Sequence, residues 1–146
     1  LGGGTGAITQ ALLDRGVAPD NLLVVEYSRP FVQRLRERFT NVEIVHGNAA
    51  ELCQLVPRDR KIAAIVSSLP LCSLTDHVTQ LILQQWQTLL QDNGVAVQFS
   101  YHLRTPKWRH YLTPTHTRSK IVWANLPPAN ITTFSFSEPK LHANMP

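Results

Sequence analysis

The chain has 146 residues, 14 Lys and Arg against 10 Asp and Glu, and 43% apolar residues. At ~100–200 residues per domain this reads as one domain, residues 1–146, with apolar content that excludes global disorder. No stretch approaches the ~18 uninterrupted apolar residues of a membrane-spanning helix. Cys53 and Cys72 stand in neither CxxC nor metal-ligand spacing, which argues against a zinc framework or a disulfide scaffold, so no metal is expected.

In chain order, residues 5–15 carry Ile8, Ala11 and Leu12 on one helical face, with Gly16 as a stop. Leu22-Leu23-Val24-Val25 is a continuous apolar run ending in Glu26, as in a strand covered on both faces. Ser28 is placed to cap the next helix, with Pro30 in its first turn and Phe31, Leu35 and Phe39 as its buried stripe. Residues 42–45 form a strand closing on Gly47-Asn48-Ala49, and residues 50–55 a short helix before Pro57. Residues 62–66 are a buried strand running into Ser67-Ser68-Leu69-Pro70.

The longest helical pattern spans residues 75–90, with Val78, Leu81, Ile82, Trp86 and Leu89 on one side. Asp92-Asn93-Gly94 reads as a turn, and residues 95–99 as a strand. Alternating strands and helices predict an α/β fold with a parallel sheet. Beyond Tyr101 the pattern changes. Residues 104–118 read as a loop or broken helix, and residues 120–123 and 131–136 as two antiparallel strands. Charge changes there too: residues 1–100 are net −1, residues 101–146 net +5. A basic end suits an anionic partner, either nucleic acid or a membrane face.

Gly2-x-Gly4-x-Gly6 precedes the first helix, where glycines let a backbone approach a ligand at the helix N-terminus. The chain opens on Leu1, its only Met is Met145, and a turn of this kind follows a buried strand. The expectation is therefore a fragment whose first strand lies upstream. Glu26, twenty residues after Gly6, ends the next strand, where a carboxylate can accept from two ribose hydroxyls. The pair points to an adenosine-containing cofactor. Gly2, Gly4 and Ala7 also satisfy a dinucleotide fingerprint. The G-x-G-T-G form of the turn, Gly47-Asn48-Ala49 and the antiparallel finish favour S-adenosylmethionine.

The chain resembles class I S-adenosylmethionine-dependent methyltransferases over essentially its whole length. Within them it is most similar to bacterial phospholipid N-methyltransferases, which methylate phosphatidylethanolamine. Leu1-Gly2-Gly3-Gly4-Thr5-Gly6-Ala7-Ile8-Thr9, Val25-Glu26-Tyr27-Ser28 and His46-Gly47-Asn48-Ala49 carry the cofactor half of that resemblance. Val66-Ser67-Ser68-Leu69-Pro70-Leu71, Val97-Gln98-Phe99-Ser100-Tyr101 and Trp123-Ala124-Asn125-Leu126-Pro127-Pro128-Ala129 carry the substrate half.

The resemblance implies a Rossmann-like sheet with antiparallel C-terminal strands, its central strand and an N-terminal helix upstream of Leu1. It places Gly2, Gly4 and Gly6, with Thr5 in the same turn, on the methionine part of the cofactor. Glu26 would hold the ribose and Tyr27 would pack near the adenine. Asn48 stands where the family has Asp and can accept from an exocyclic amine. Ala49 would add its backbone N–H, Ser67 would contact the cofactor, and Ser68, Leu69 and Pro70 the substrate.

Ribosomal RNA adenine dimethyltransferases, the competing family, carry an Asn-Leu-Pro-Tyr type motif after this strand. Here Ser68-Leu69-Pro70-Leu71 lacks the ring, so a flipped base would lose stacking worth ~1–3 kcal/mol. An aliphatic amine on a lipid loses little. Tyr101, and after it His102, are the expected orienter or proton acceptor at the sheet's C-terminal edge. Trp108, Tyr111 and Trp123 are candidates for a wall around a quaternary ammonium, with Trp123 more simply read as core packing. The basic and aromatic residues 107–111 suit an anionic lipid surface, or RNA. The expected location is the cytoplasm, peripheral at the inner face of the membrane, with phospholipid as substrate and nucleic acid as the lesser alternative.

Overall fold

The structure, a computed structural model, describes residues 1–101, 106–123 and 128–136. The apolar run after residue 21 becomes β1 (Leu23–Glu26), and the next becomes β2 (Glu43–His46). They pair in parallel, Val24 opposite Ile44 and Glu26 opposite His46, joined by helix α2 (Arg29–Arg38). Helix α2 buries Val32, Leu35 and the following Phe39, while Phe31 is only half-buried. Positions 32, 35 and 39 share a helical face, and Phe31 sits to its side in the first turn. Ser28 is the N-cap by position, yet its hydroxyl makes no capping bond.

Helices α1 (Ala7–Asp14) and α3 (Leu52–Leu55) fall at the predicted places. In α1 only Thr9 is fully buried, and the expected face of Ile8, Ala11 and Leu12 is half-buried. β3 (Ile62–Ser67) pairs in parallel with β4 (Leu90–Ser100) across helix α4 (Asp76–Leu89), whose N-cap Thr75 accepts from the Val78 N–H. Trp86 and Leu83 of α4 are fully buried, in one core with Ile65, Ala96 and Phe134. Each such side chain contributes roughly 1.5–3 kcal/mol of burial.

The predicted turn at residues 92–94 lies inside β4. The register steps from Ile62 opposite Leu90 to Ala64 opposite Val95, so Asp92-Asn93-Gly94 forms a bulge, with Asn93 at φ 66°. Turn chemistry was legible there, but pairing resumes on both sides of it.

β5 (His116–Val122) begins within the stretch expected as loop, because the ladder to its partner starts at His116. β6 (Ala129–Ser135) lies between β4 and β5, antiparallel to both, giving the order β3-β4-β6-β5. The antiparallel finish is as predicted. Asn125-Leu126-Pro127 lies outside the described residues.

Leu1 and Gly2 link the two sheets. The Leu1 amino group donates to the Val66 carbonyl at 2.6 Å, Ser68 N–H donates to the Leu1 carbonyl at 3.1 Å, and Gly2 N–H donates to the Val25 carbonyl at 2.9 Å. Below this junction an apolar cleft opens between β1 and β3, lined by Ile8, Leu12, Leu23, Val25 and Ile65. The glycine turn is thereby held at the C-terminal ends of β1 and β3. That edge is where ligands bind in open α/β sheets.

Candidate active site

The glycine turn is shaped by two different needs. Gly2, Gly4 and Gly6 all have positive φ, at 70°, 50° and 86°. Around Gly4 a side chain would find open space, the nearest atom being the Gly2 carbonyl oxygen at 3.9 Å. Its backbone is free to face a ligand. Gly6 is buried, and a Cβ there would stand 2.4 Å from the Phe39 ring. Gly6 therefore lets α2 close over the turn, a packing task the spacing alone did not separate from ligand approach. Thr5 is exposed beside it, its carbonyl accepting from Arg38 at 3.0 Å.

Glu26 is 8% exposed, and its carboxylate fastens the turn. One oxygen accepts from Gly4 N–H at 2.9 Å, the other from Ser28 N–H at 2.7 Å. The second bond sets the carboxylate beside the start of α2. Each carboxylate oxygen retains a lone pair for a further donor. Tyr27, beside it, is 74% exposed, and its carbonyl is paired with His46 Nε2 at 2.9 Å. The two rings lie 6.5 Å apart. His46 fixes the chain on which Tyr27 stands, a contact that parallel pairing creates and sequence spacing does not reveal.

Asn48 also has a local partner. Its side-chain oxygen accepts from Ala50 N–H at 3.0 Å and caps the short turn over residues 49–51. That oxygen keeps a second lone pair, and the amide its two N–H groups, for a further partner. Ala49 is buried at the start of that turn.

The loop after β3 joins the glycine turn to a second cavity. Ser67 is fully buried, and its hydroxyl oxygen accepts from Leu69 N–H at 3.3 Å. That bond helps to hold the loop, and the hydroxyl keeps its own donor. Ser68 donates its hydroxyl to the Gly2 carbonyl at 2.7 Å, which puts it nearer the cofactor turn than its assignment to substrate implied. Leu69 packs against Gly2, and Pro70 is exposed.

Residues 68–72, with Gln98, Phe99, Ser100, Tyr101 and Trp108, wall a cavity of about 430 Å³. That falls within the ~300–1,000 Å³ usual for small-molecule sites. Tyr101 is 56% exposed at its edge and meets Phe99 edge-on at 5.0 Å. His102 lies outside the described residues.

Gln98 was quoted in a motif without a role. It is 2% exposed, and its amide nitrogen donates to the Leu69 carbonyl at 2.9 Å and the Phe99 carbonyl at 2.6 Å. The signal was a long amide in the otherwise apolar run of residues 95–99. Its Oε1 and the indole Nε1 of Trp108 are buried without a hydrogen-bond partner among the described residues.

The aromatic candidates trade places. Trp108 is 6% exposed and meets Phe134 at 6.0 Å, with Arg109 over the same ring at 5.6 Å. The segment of residues 107–111 therefore turns its indole into the core. Trp123 is 71% exposed, not core packing, because it follows the end of the edge strand β5. Arg118, Lys120 and Ile121 are exposed on that strand.

A parallel sheet with a glycine turn, a buried acidic strand end and a neighbouring cavity is the arrangement of a nucleotide-cofactor enzyme of the Rossmann-like class. The family described as a methyltransferase domain matches residues 1–94, and the chain belongs to it. An ornithine lipid N-methyltransferase of Singulisphaera acidiphila is 31% identical over 106 residues, covering 68% of this chain and 55% of that protein. The match thus spans about half of that relative's length. Among solved structures, the N-methyltransferase NodS of Bradyrhizobium japonicum in complex with S-adenosylhomocysteine is 16% identical at TM-score 0.66, over 94% of this chain and 76% of that one. An rRNA methylase of Streptococcus thermophilus is 16% identical at TM-score 0.67, over 92% and 83%. The chain thus carries a methyltransferase domain on a Rossmann-like fold, and that family implies S-adenosylmethionine as cofactor. The residues present fit that group: open backbone at Gly4, a buried carboxylate at Glu26 and an exposed ring at Tyr27.

Proposed function

We propose that this methyltransferase methylates the amine headgroup of phosphatidylethanolamine at the inner, cytoplasmic face of the membrane. The observation that carries the reading is the cavity beside the glycine turn, where Leu69, Pro70 and Leu71 present alkyl groups and Phe99, Tyr101 and Trp108 present the aromatic faces that suit an alkylammonium headgroup. The similarity to an ornithine lipid N-methyltransferase supports an amine on a lipid. Exposed Arg118, Lys120, Ile121 and Trp123 supply the mixture of positive charge and amphipathic ring that an anionic interface attracts.

The cofactor supplies a methyl carbon on a positively charged sulfur, which leaves as a neutral thioether with the bonding electrons. The chain's task is to align an amine lone pair with that carbon and to exclude water. In this reading Gly4 and Glu26 hold the cofactor's polar parts, and Tyr27 covers its adenine. Ser68 ties the turn to the acceptor cavity, and Tyr101 at the rim orients the amine or takes its proton. His102 remains the second choice for that proton.

The test is transfer of labelled methyl by the natural-length protein to three acceptors. These are phosphatidylethanolamine in anionic vesicles, ornithine lipid in the same vesicles, and ribosomal RNA. Label in the ethanolamine lipid is expected. Label confined to ornithine lipid would move the substrate to another lipid amine, and label confined to RNA would overturn the lipid reading.

A further inference from the structure

We infer that Gln98 is the residue by which the acceptor cavity selects an amine that still bears N–H. The inference rests on the lipid-amine reading and names the group that recognises the nitrogen. Both N–H groups of the Gln98 amide are committed, one to the Leu69 carbonyl and one to the Phe99 carbonyl. The opposite orientation would set an oxygen against two carbonyl oxygens, so the side chain can stand only one way. Its Oε1 is then a fixed acceptor, buried and without a partner among the described residues. Gln98 stands in the wall of the same cavity as Ser68, Leu69 and Tyr101. A buried acceptor in a cavity wall calls for a donor, and nearly all such groups in folded proteins have one.

A primary amine meets that need. It donates one N–H to Oε1, and the bond fixes the direction of the nitrogen lone pair. Leu69 carries the geometry onward, since the loop that Gln98 holds also packs on Gly2 of the cofactor turn. Each methylation replaces one N–H. In the neutral form that reacts, the primary amine has two N–H groups, the monomethyl amine one and the dimethyl amine none, so the contact that held the substrate is lost once two methyls are in place. Gln98 thus separates substrate from final product by hydrogen-bond count, where aromatic walls would favour the quaternary ion.

The test uses the natural-length protein saturated with S-adenosylhomocysteine and two soluble headgroups, glycerophosphoethanolamine and glycerophosphocholine, titrated by calorimetry. Gln98→Met, close in volume, removes the acceptor together with the two donors that hold the Leu69 and Phe99 carbonyls. It is expected to weaken the ethanolamine headgroup tenfold or more and the choline headgroup less than twofold, while any loss of S-adenosylhomocysteine affinity reads the loosened Leu69 loop and is shared by both titrations. Equal losses for the two headgroups, or no loss for either, would overturn the proposal and leave Gln98 a loop support. Should Gln98→Met fail to fold, Gln98→Glu decides. In its protonated form it keeps a donor for one carbonyl and the free acceptor, and it is expected to retain the preference for ethanolamine. Loss of that preference in a folded Gln98→Glu protein would also count against the role. If the unmutated protein binds neither headgroup and methylates no ethanolamine lipid, the lipid-amine reading itself falls, and the acceptor role with it.

Discussion

The cofactor side and the acceptor side of this molecule are built in opposite ways. On the cofactor side one short segment, residues 2–6, is fastened by one carboxylate and packed under one helix. Gly4 meets Glu26, and Gly6 lies beneath Phe39. On the acceptor side the cavity draws on three separated segments: the loop after β3, the end of β4 and the turn at Trp108. A site held by local geometry leaves its signature in a short motif. A site assembled from distant segments leaves only isolated residues, such as one amide in a strand.

That contrast can be broken at several points. The largest effect is expected at Gly6→Ala. The new methyl meets Phe39, and the left-handed backbone disfavours it, together ~3 kcal/mol or more of lost stability from overpacking and strain. Denaturant unfolding measures it, and a loss below 1 kcal/mol would mean the turn is not clamped by α2. Next comes Glu26→Gln, which replaces one charged acceptor facing a backbone N–H with a donor. At ~1.5–3 kcal/mol for a charged hydrogen bond, S-adenosylhomocysteine affinity should fall roughly tenfold to a hundredfold.

On the other side, Ala at both Arg118 and Lys120 should weaken binding to anionic vesicles roughly thirtyfold, at ~1 kcal/mol each. Cofactor affinity should not change, and a matching loss there would show that the two sides are not separable. Ser68→Ala, which removes the hydroxyl joining them, should raise the cofactor dissociation constant about fivefold, for a bond worth ~1 kcal/mol.

The smallest effect concerns a chain prepared with Leu1 as its first residue. Burial pushes the Leu1 amino group down to about 6, partly offset by the nearby Glu26 charge. The folded state then disfavours the charged form, and the unfolded chain binds more protons between pH 6 and 8. Stability should rise with pH through that window and carry the full penalty below it. An N-acetylated chain should lose the slope.

The same contrast explains what the sequence made legible. The continuous apolar run of residues 22–25 located β1, whose Val24 and Val25 are buried, and shorter apolar stretches located β2 and β3, where Glu43, Ala63 and Ala64 are exposed. Glycine spacing and Glu26 located the cofactor turn. The local bonds of Ser67 and Asn48 were not legible, since each oxygen accepts from a backbone N–H two residues on, an arrangement set by loop geometry. The exposure of Trp123 was not legible because it follows β5, an edge strand whose place depends on β6 entering between it and β4. That is a long-range pairing with no local signal.

The most direct test of the account is a calorimetric titration of the natural-length protein with S-adenosylhomocysteine, with and without anionic vesicles containing phosphatidylethanolamine. The account predicts micromolar binding that depends on Glu26 and tightens when the vesicles are present. Absence of binding, or binding indifferent both to Glu26→Gln and to the lipid, would contradict it.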